Sequence, residues 1–501
     1  MRAQIIRNSL ANFGGAALPA LVTLVTLPII VAQLGEVEYG VLALIVAIVG
    51  YFAIIDVNVT AGSVKYLAEF HARGEAHRIS QVVSLGLLIY LAIGMVGGVG
   101  IVLAAPWLVS QIFQVPPSLH DTATLALRLG GAGFLFGQLQ FYLQSIPQSL
   151  GRYDISAGFE ASFGVLVPLL TVGVVLMGGG LVGVVVVRLV ASIVNVALLG
   201  RRVRRLLPEY HWARPEGEII RRVLSFSGFA YLNNIASVTY LQADKLIIGA
   251  LAGMQALTLY VVPFTLVSRV FNMTYRLGAV MFPASSALAA KDEMDRLRRL
   301  YLVAVRYTVF LNGVIAVFLI VLAYMLLKFW MGESFAARSS PILALLAGAA
   351  FLDSLTNLPT LINDGLGHPK LTGLFAVVRA AIGTASAYLL VGALGILGAA
   401  ISQLLVSAVM GILFLAYVHG RTVPVSLMTY LVQGIAPALA CALVPALAGW
   451  WLAGLLEPGL PGGVVVAVFL LGSMGMLGYR YVLRQEDKSA VSNWLMARRA
   501  A

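Results

Sequence analysis

LGEVEYGVLALIVAIVGYFAIIDVNVTAGSVKYLAEFHARGE, residues 34–75, holds in one stretch the pattern that decides the fold. It opens on a turn at Gly35 that has no Lys or Arg beside it. The apolar run 38–62 follows, long enough to cross a hydrocarbon core about 30 Å thick, which takes about 20 helical residues. Lys65, Arg73 and, just beyond, Arg78 then mark the other side. The same alternation continues along the chain. Helix-length apolar segments are expected at roughly 10–33, 38–62, 81–105, 122–147, 157–178, 181–200, 224–250, 257–283, 302–327, 341–362, 371–391, 395–418, 428–453 and 463–483.

Composition agrees with a chain built into a bilayer. Its 501 residues are 60% hydrophobic and 11% charged, where a soluble domain carries about 25% charged residues. The first apolar stretch is too long for a signal-peptide core and contains Pro19 and Pro28, so it reads as a retained first helix bent at Pro19. Basic residues set the orientation. With the N-terminus in the cytoplasm, the inner loops receive Lys65, Arg73, Arg78, Arg152, the cluster from Arg201 to Arg222, the cluster from Lys291 to Arg299, Lys370, Arg421 and the basic C-terminal tail. The outer side keeps only Lys328 and Arg338. Both termini are therefore expected in the cytoplasm. The same asymmetry accounts for the net charge of +12. Nucleic acid is not an expected partner, because no basic domain stands outside the spans.

Cys441 is the only cysteine, which excludes an internal disulfide and a Cys-based metal cluster. No metal and no cofactor are expected. The chain has no G-x-x-x-x-G-K-[ST] phosphate loop, no H-E-x-x-H and no G-x-S-x-G. Short loops leave no room for a soluble catalytic domain, so an enzyme is not expected. Nothing resembles a repeated channel filter.

The polar segment 201–222 divides the first twelve spans into two similar sets. At an offset of about 218 residues Gly35 meets Gly253, and Gly74–Glu75 meets Asp292–Glu293. Spans 1 and 7 run the same way, which makes a parallel repeat. The expected fold is an all-α integral membrane protein of about 14 transmembrane helices: two six-helix lobes, 1–205 and 206–425, and an added pair with a basic tail, 426–501. Small-xxx-small glycines at Gly94/Gly98, Gly133/Gly137 and Gly179/Gly183 are expected to let helices approach closely.

Ionisable groups within spans usually face a cavity or a partner. Thr265, Arg269, Asn272 and Arg276 share one face of span 8. Asp353, Asn357, Thr360 and Asp364 repeat that spacing in span 10, as do Gln138, Tyr142, Ser145 and Ser149 in span 4. Asn12, Thr23, Asn234, Asn272 and Asn357 are expected to line a central cavity. A packed bundle in which these groups satisfy one another is the alternative. Cations at mid-depth (Lys245, Arg269, Arg276, Arg379, Arg128 and Arg188) outnumber carboxylates, which suits an anionic substrate gripped by guanidinium groups. Asp56, Asp244 and Asp353 are candidate coupling or gating carboxylates, with Asp244 also placed to balance Lys245. For Asp56 and Asp353, gate or helix-packing roles come ahead of proton or sodium sites.

Residues 34–75 and 224–290 resemble the polysaccharide transport (Wzx-like) flippases of the multidrug/oligosaccharidyl-lipid/polysaccharide exporter superfamily. The matching elements are LG-x-x-x-YG after helix 1, Asp56 near the inner end of helix 2, the K-x-x-AE run after it, ADKLIIGAL, Tyr260, Pro263 and FPASSALA. One departure is Asp56-Val57-Asn58, where the family commonly has Asp-hydrophobic-Gly. The resemblance implies two lobes around a V-shaped cavity. It also implies movement of a polyprenyl-pyrophosphate-linked oligosaccharide, a precursor of the O-antigen or exopolysaccharide type, across the bacterial inner membrane. Membrane lipids and polysaccharide polymerase or assembly proteins would be its partners. A cation-coupled multidrug exporter and a lipid II flippase are the rivals within the superfamily, although span 1 lacks the acidic residue common in the exporters. A membrane scaffold that transports nothing is the remaining alternative.

Overall fold

The structure, a computed structural model, describes residues 2–56, 59–456, 459–483, 485 and 488; the side chains of 2–16, 226–230, 232, 233 and 460 fall outside that description. The described residues form helices and connecting turns, with one isolated bridge between His419 and Val423. In chain order they are α1 (Arg2–Phe52), α2 (Val59–Arg73), α3 (Ala76–Trp107), α4 (His120–Ser149), α5 (Tyr153–Leu176), α6 (Gly180–Leu206), α7 (Gly217–Leu251), α8 (Met254–Gly278) and α9 (Met281–Ala290). Then come α10 (Met294–Val321), α11 (Ala323–Met331), α12 (Glu333–Gly365), α13 (Pro369–Leu394) and α14 (Ile396–Val418). The short α15 (Leu427–Thr429) runs through a π-helical stretch, Tyr430–Ile435, into α16 (Ala436–Leu455), and α17 (Leu460–Leu477) follows.

Eleven stretches among the described residues are long and apolar enough to cross a membrane. The first, Ala17–Ile55, contains two of the expected spans, because α1 bends at Gly35, whose φ of 79° and ψ of 161° are non-helical. The helices at the two other expected spans, α4 and α7, are 30 and 35 residues long. In α4, Arg128, Gln138, Gln140, Gln144 and Gln148 dilute the apolar run. The fourteen expected spans therefore each have a helix.

Several boundaries differ from expectation. Within α1 the residue with non-helical φ/ψ is Gly35, at the turn expected between the first two spans, and not Pro19 or Pro28. Proline strains the preceding turn, but only glycine takes a positive φ at no steric cost. The span expected at 38–62 is broken: α1 ends in a 3-10 turn at Ala53–Ile55 and Asp56 turns to extended geometry. The eighth span is broken between Gly278 and Met281, and the ninth at Leu322.

Packing divides the chain into two compact units, Met1–Val262 with Ala376–Ala399, and Pro263–Phe375 with Ala400–Ala501. In the first, α3 packs closely on α4, and α4 on α6. A Cβ on Gly98 would fall 2.8 Å from the Gly131 carbonyl oxygen, so the two backbones meet there. Gly94 likewise faces Leu135. Gly133 and Gly137 do not mediate such an approach: a Cβ on either would meet nothing within 4 Å. Tyr142 fills the space left by Gly86, donates to the Val82 carbonyl at 3.1 Å and stacks on Tyr90 at 5.2 Å. In the second unit α10 packs on α12 and α16, around a core that includes Leu297, Tyr301, Leu358, Val418 and Tyr430.

The weak sequence echo becomes a backbone repeat at the turns. Gly35 and Gly253 have φ of 79° and 85°, and Gly74 and Asp292 have 70° and 55°. The amide of Glu75 donates to Phe70 O and that of Glu293 to Leu288 O, both at 3.0 Å. Arg78 then pairs with Glu75 at 3.0 Å, and Arg296 with Glu293 at 2.9 Å. The turn before α5 and the turn before α13 also correspond. Gly151 and Gly367 have φ of 72° and 93°, with the Arg152 amide donating to Pro147 O and the His368 amide to Asn363 O. Gly178 and Gly395, before α6 and α14, have φ of 80° and 61°.

Candidate functional site

The buried polar groups gather in local networks. In the first unit the richest joins α7, α8 and α13. Asp244 and Lys245 are both buried within α7. One carboxylate oxygen of Asp244 accepts from the Lys245 amide at 2.8 Å and lies 3.3 Å from its ammonium. The other accepts from the Tyr260 hydroxyl at 2.6 Å. The Lys245 ammonium also donates to the Leu241 carbonyl one turn earlier. Tyr240, at i−4 from Asp244, is close enough to Tyr260 for an electrostatic interaction. Its hydroxyl accepts from Arg379 at 2.7 Å, and the guanidinium lies 4.4 Å from its ring centre. Lys245, Asp244 and Arg379 thus lie in one polar network bridged by Tyr240 and Tyr260. Asp244 balances Lys245, as its adjacency suggested.

A second network holds the break after α1. Asn234 on α7 donates to the carbonyls of Ala53 at 3.2 Å and Asp56 at 3.0 Å. The buried Asp56 carboxylate accepts from the Tyr90 hydroxyl at 3.2 Å, and that hydroxyl accepts from the Thr60 amide at 3.3 Å. Asn234, expected on a cavity wall, uses its amide here on two carbonyls at the break, of which that of Ala53 also accepts from the Asp56 amide at 3.0 Å. The Thr23 hydroxyl is similarly turned back to its own helix, donating to Pro19 O at 2.8 Å. Asn12 lies outside the residues whose side chains are described.

The other expected cations are placed differently. Arg188 on α6 is exposed and interacts electrostatically with Tyr39 on α1. Arg128 on α4 is exposed. In the second unit Arg269, Asn272 and Arg276 form an exposed face of α8, while Asp353 and Asn357 on α12 are half-buried. Asp364, on that same α12 face, accepts from the Thr372 hydroxyl at 2.6 Å. Among the described residues no cluster of three or more His, Cys, Asp or Glu could hold a metal ion.

Sequence reasoning passed over Tyr240 and Arg306. The i, i+4 spacing of Tyr240 and Asp244 was available as a signal. Arg306 is a charge inside the stretch Met294–Val321, and its guanidinium donates twice to the Gln433 carbonyl, at 3.2 and 2.9 Å.

Known proteins share this fold. The lipid II flippase MurJ in an inward closed conformation superposes with a TM-score of 0.73 at 15% identity, over 95% of this chain and 99% of that one. An inward-facing multidrug resistance MATE family transporter of the MOP superfamily gives 0.70 at 14% identity, over 82% and 97%. In sequence, a protein of Shigella flexneri described as a candidate O-antigen transporter is 23% identical over 406 residues, 79% of this chain and 94% of that one. These relatives are transporters and flippases rather than enzymes. The profile described as polysaccharide biosynthesis protein matches residues 30–340, more than half of the chain, and the chain belongs to that family.

Proposed function

We propose that this protein is a flippase for a polyprenyl-pyrophosphate-linked oligosaccharide, working by alternating access in the bacterial inner membrane with both termini in the cytoplasm. The observation that carries the reading is the α7–α8–α13 network, where the buried Lys245–Asp244 pair and Arg379 are joined through tyrosine hydroxyls. Family membership and the similarity to the candidate O-antigen transporter support the glycan as cargo. Arg269, Arg276, Arg128 and Arg188 would extend the anion site, and Asn272 and Asn357 would line the path of the sugars. Two six-helix lobes, 1–205 and 206–425, would move against each other about the turns that repeat in the backbone. Asp56 and Asp353 would act as gate or coupling groups. Pyrophosphate is recognised by guanidinium groups through paired hydrogen bonds, while a prenyl tail stays in lipid.

The test is the leaflet position of lipid-linked oligosaccharide in cells depleted of the protein. Accumulation on the cytoplasmic face is expected, and an unchanged distribution would overturn the reading. Accumulation of lipid II alone would move the assignment to a lipid II flippase. Replacing Arg269 and Arg276 together by Gln should abolish export at unchanged protein level; normal export would remove both from the site.

A further inference from the structure

The Arg306 guanidinium lies within the membrane-spanning stretch Met294–Val321, yet the partner it holds is a neutral carbonyl. A carbonyl satisfies two N–H groups without compensating the charge. Charges at membrane depth are costly unless paired with an opposite charge or water. Arg306 and Arg299 line one pocket of about 160 Å³, with Leu302, Val303, Tyr307 and Gln433 as its other walls. Five of these residues fall at i, i+3, i+4, i+7 and i+8 on α10, so the pocket is one helix face closed by the π-helical stretch Tyr430–Ile435. Among the described residues no carboxylate pairs with either guanidinium; Asp295, one turn before Arg299, is exposed and makes no ion pair with it.

We propose that this pocket binds the phosphate headgroup of an anionic glycerophospholipid. Arg306 is pre-oriented by the two hydrogen bonds it donates to the Gln433 carbonyl. Arg299 stands two turns nearer the start of α10, about 10 Å along the axis. Leu302 and Val303 between them offer an apolar wall to the glycerol and upper acyl carbons. A phosphate supplies the missing countercharge, and arginine binds phosphate with geometry as well as charge. Basic pockets between membrane helices bind anionic lipid headgroups by this chemistry. The site lies on the α10–α16 side of the second unit and does not depend on the identity of the transported molecule.

The test uses the purified full-length protein in detergent, offered an equimolar mixture of phosphatidylglycerol and phosphatidylethanolamine, with retained lipid read by native mass spectrometry. The wild type should retain phosphatidylglycerol in preference. Arg299→Gln, whose side chain has no partner among the described residues, should cut that preference about fivefold, the size expected for one basic group at a lipid headgroup. Arg306→Gln should do at least as much. Arg298→Gln, the same charge change off the pocket face, should leave it intact. An equal fall with Arg298→Gln, or no preference in the wild type, would overturn the proposal. Retention of a polyprenyl pyrophosphate in place of phosphatidylglycerol would overturn it too, by assigning the pocket to the cargo.

Discussion

Two tyrosine networks show how the same side chain serves different ends. In the α7–α8–α13 network Tyr240 and Tyr260 each present a hydroxyl to a charged group, Arg379 and Asp244. Around the end of α14, Tyr301, Tyr430 and His419 form a neutral stack, with ring centres 4.3 Å apart for His419 and Tyr430 and 5.9 Å for the two tyrosines. His419 Nδ1 bonds the Leu415 carbonyl at 2.9 Å, which requires a proton on Nδ1. Its Nε2 therefore accepts from the Tyr301 hydroxyl, at 2.9 Å. Tyr430 donates to the Leu355 carbonyl at 2.6 Å. The second network uses all its polar atoms internally and holds helix ends together. The first joins ionised groups, Asp244, Lys245 and Arg379, through tyrosine hydroxyls.

Breaking the first network should give the largest effect, and on transport. Arg379→Gln should lower export about 10–100-fold, the loss of one charge-assisted contact, while apparent melting temperature in detergent holds. Replacing Asp244 by Asn and Lys245 by Gln together removes a pair without stranding a charge, so the fold should survive and export should fall. Full export in that double variant would make the pair purely structural.

Breaking the second network should act on stability instead. Tyr301→Phe leaves the buried His419 Nε2 without its donor and should cost about 1–3 kcal/mol, with export per folded molecule unchanged. Burial holds the His419 pKa below its ordinary 6.5, because the imidazolium would lose hydration, an effect the hydrogen bond to the Leu415 carbonyl opposes only in part. The unfolded chain takes up this proton first. The contribution is complete above about pH 6.5 and declines as pH falls from there toward the folded value. Melting followed from pH 8 to 5 should show that decline, and a His419→Gln variant should flatten it.

The smallest expected effect tests the repeat. Gly74 and Asp292 occupy equivalent turns at φ 70° and 55°. Asp292→Gly should stabilise by about 0.5–1 kcal/mol and Gly74→Ala should destabilise by about 1 kcal/mol, read as opposite shifts in melting. Equal shifts of one sign would show that the two turns are not energetically equivalent.

Much of the fold was legible because a bilayer imposes a length on every apolar run. That constraint gave each of the fourteen segments its helix, and the echo of Gly35 in Gly253 marked the repeat. The break at Asp56 was less legible. It depends on backbone geometry and on a partner, Asn234, which is 178 residues from Asp56. For the site, hydropathy exposed the mid-span charges but could not say how each is satisfied. Lys245 could be matched with Asp244 from adjacency, whereas the pairing of Arg379 with Tyr240 joins residues 139 apart. Arg306 went unnoticed because a lone arginine near a span's start looks like an interfacial charge until a distant carbonyl is seen to hold it. The sequence by itself determined that the chain spans a membrane many times, which apolar segments form long helices, and which ionisable residues fall within them. Only the tertiary structure decided which cations are neutralised, because hydrogen bonds act over about 3 Å and folding alone brings distant residues that close.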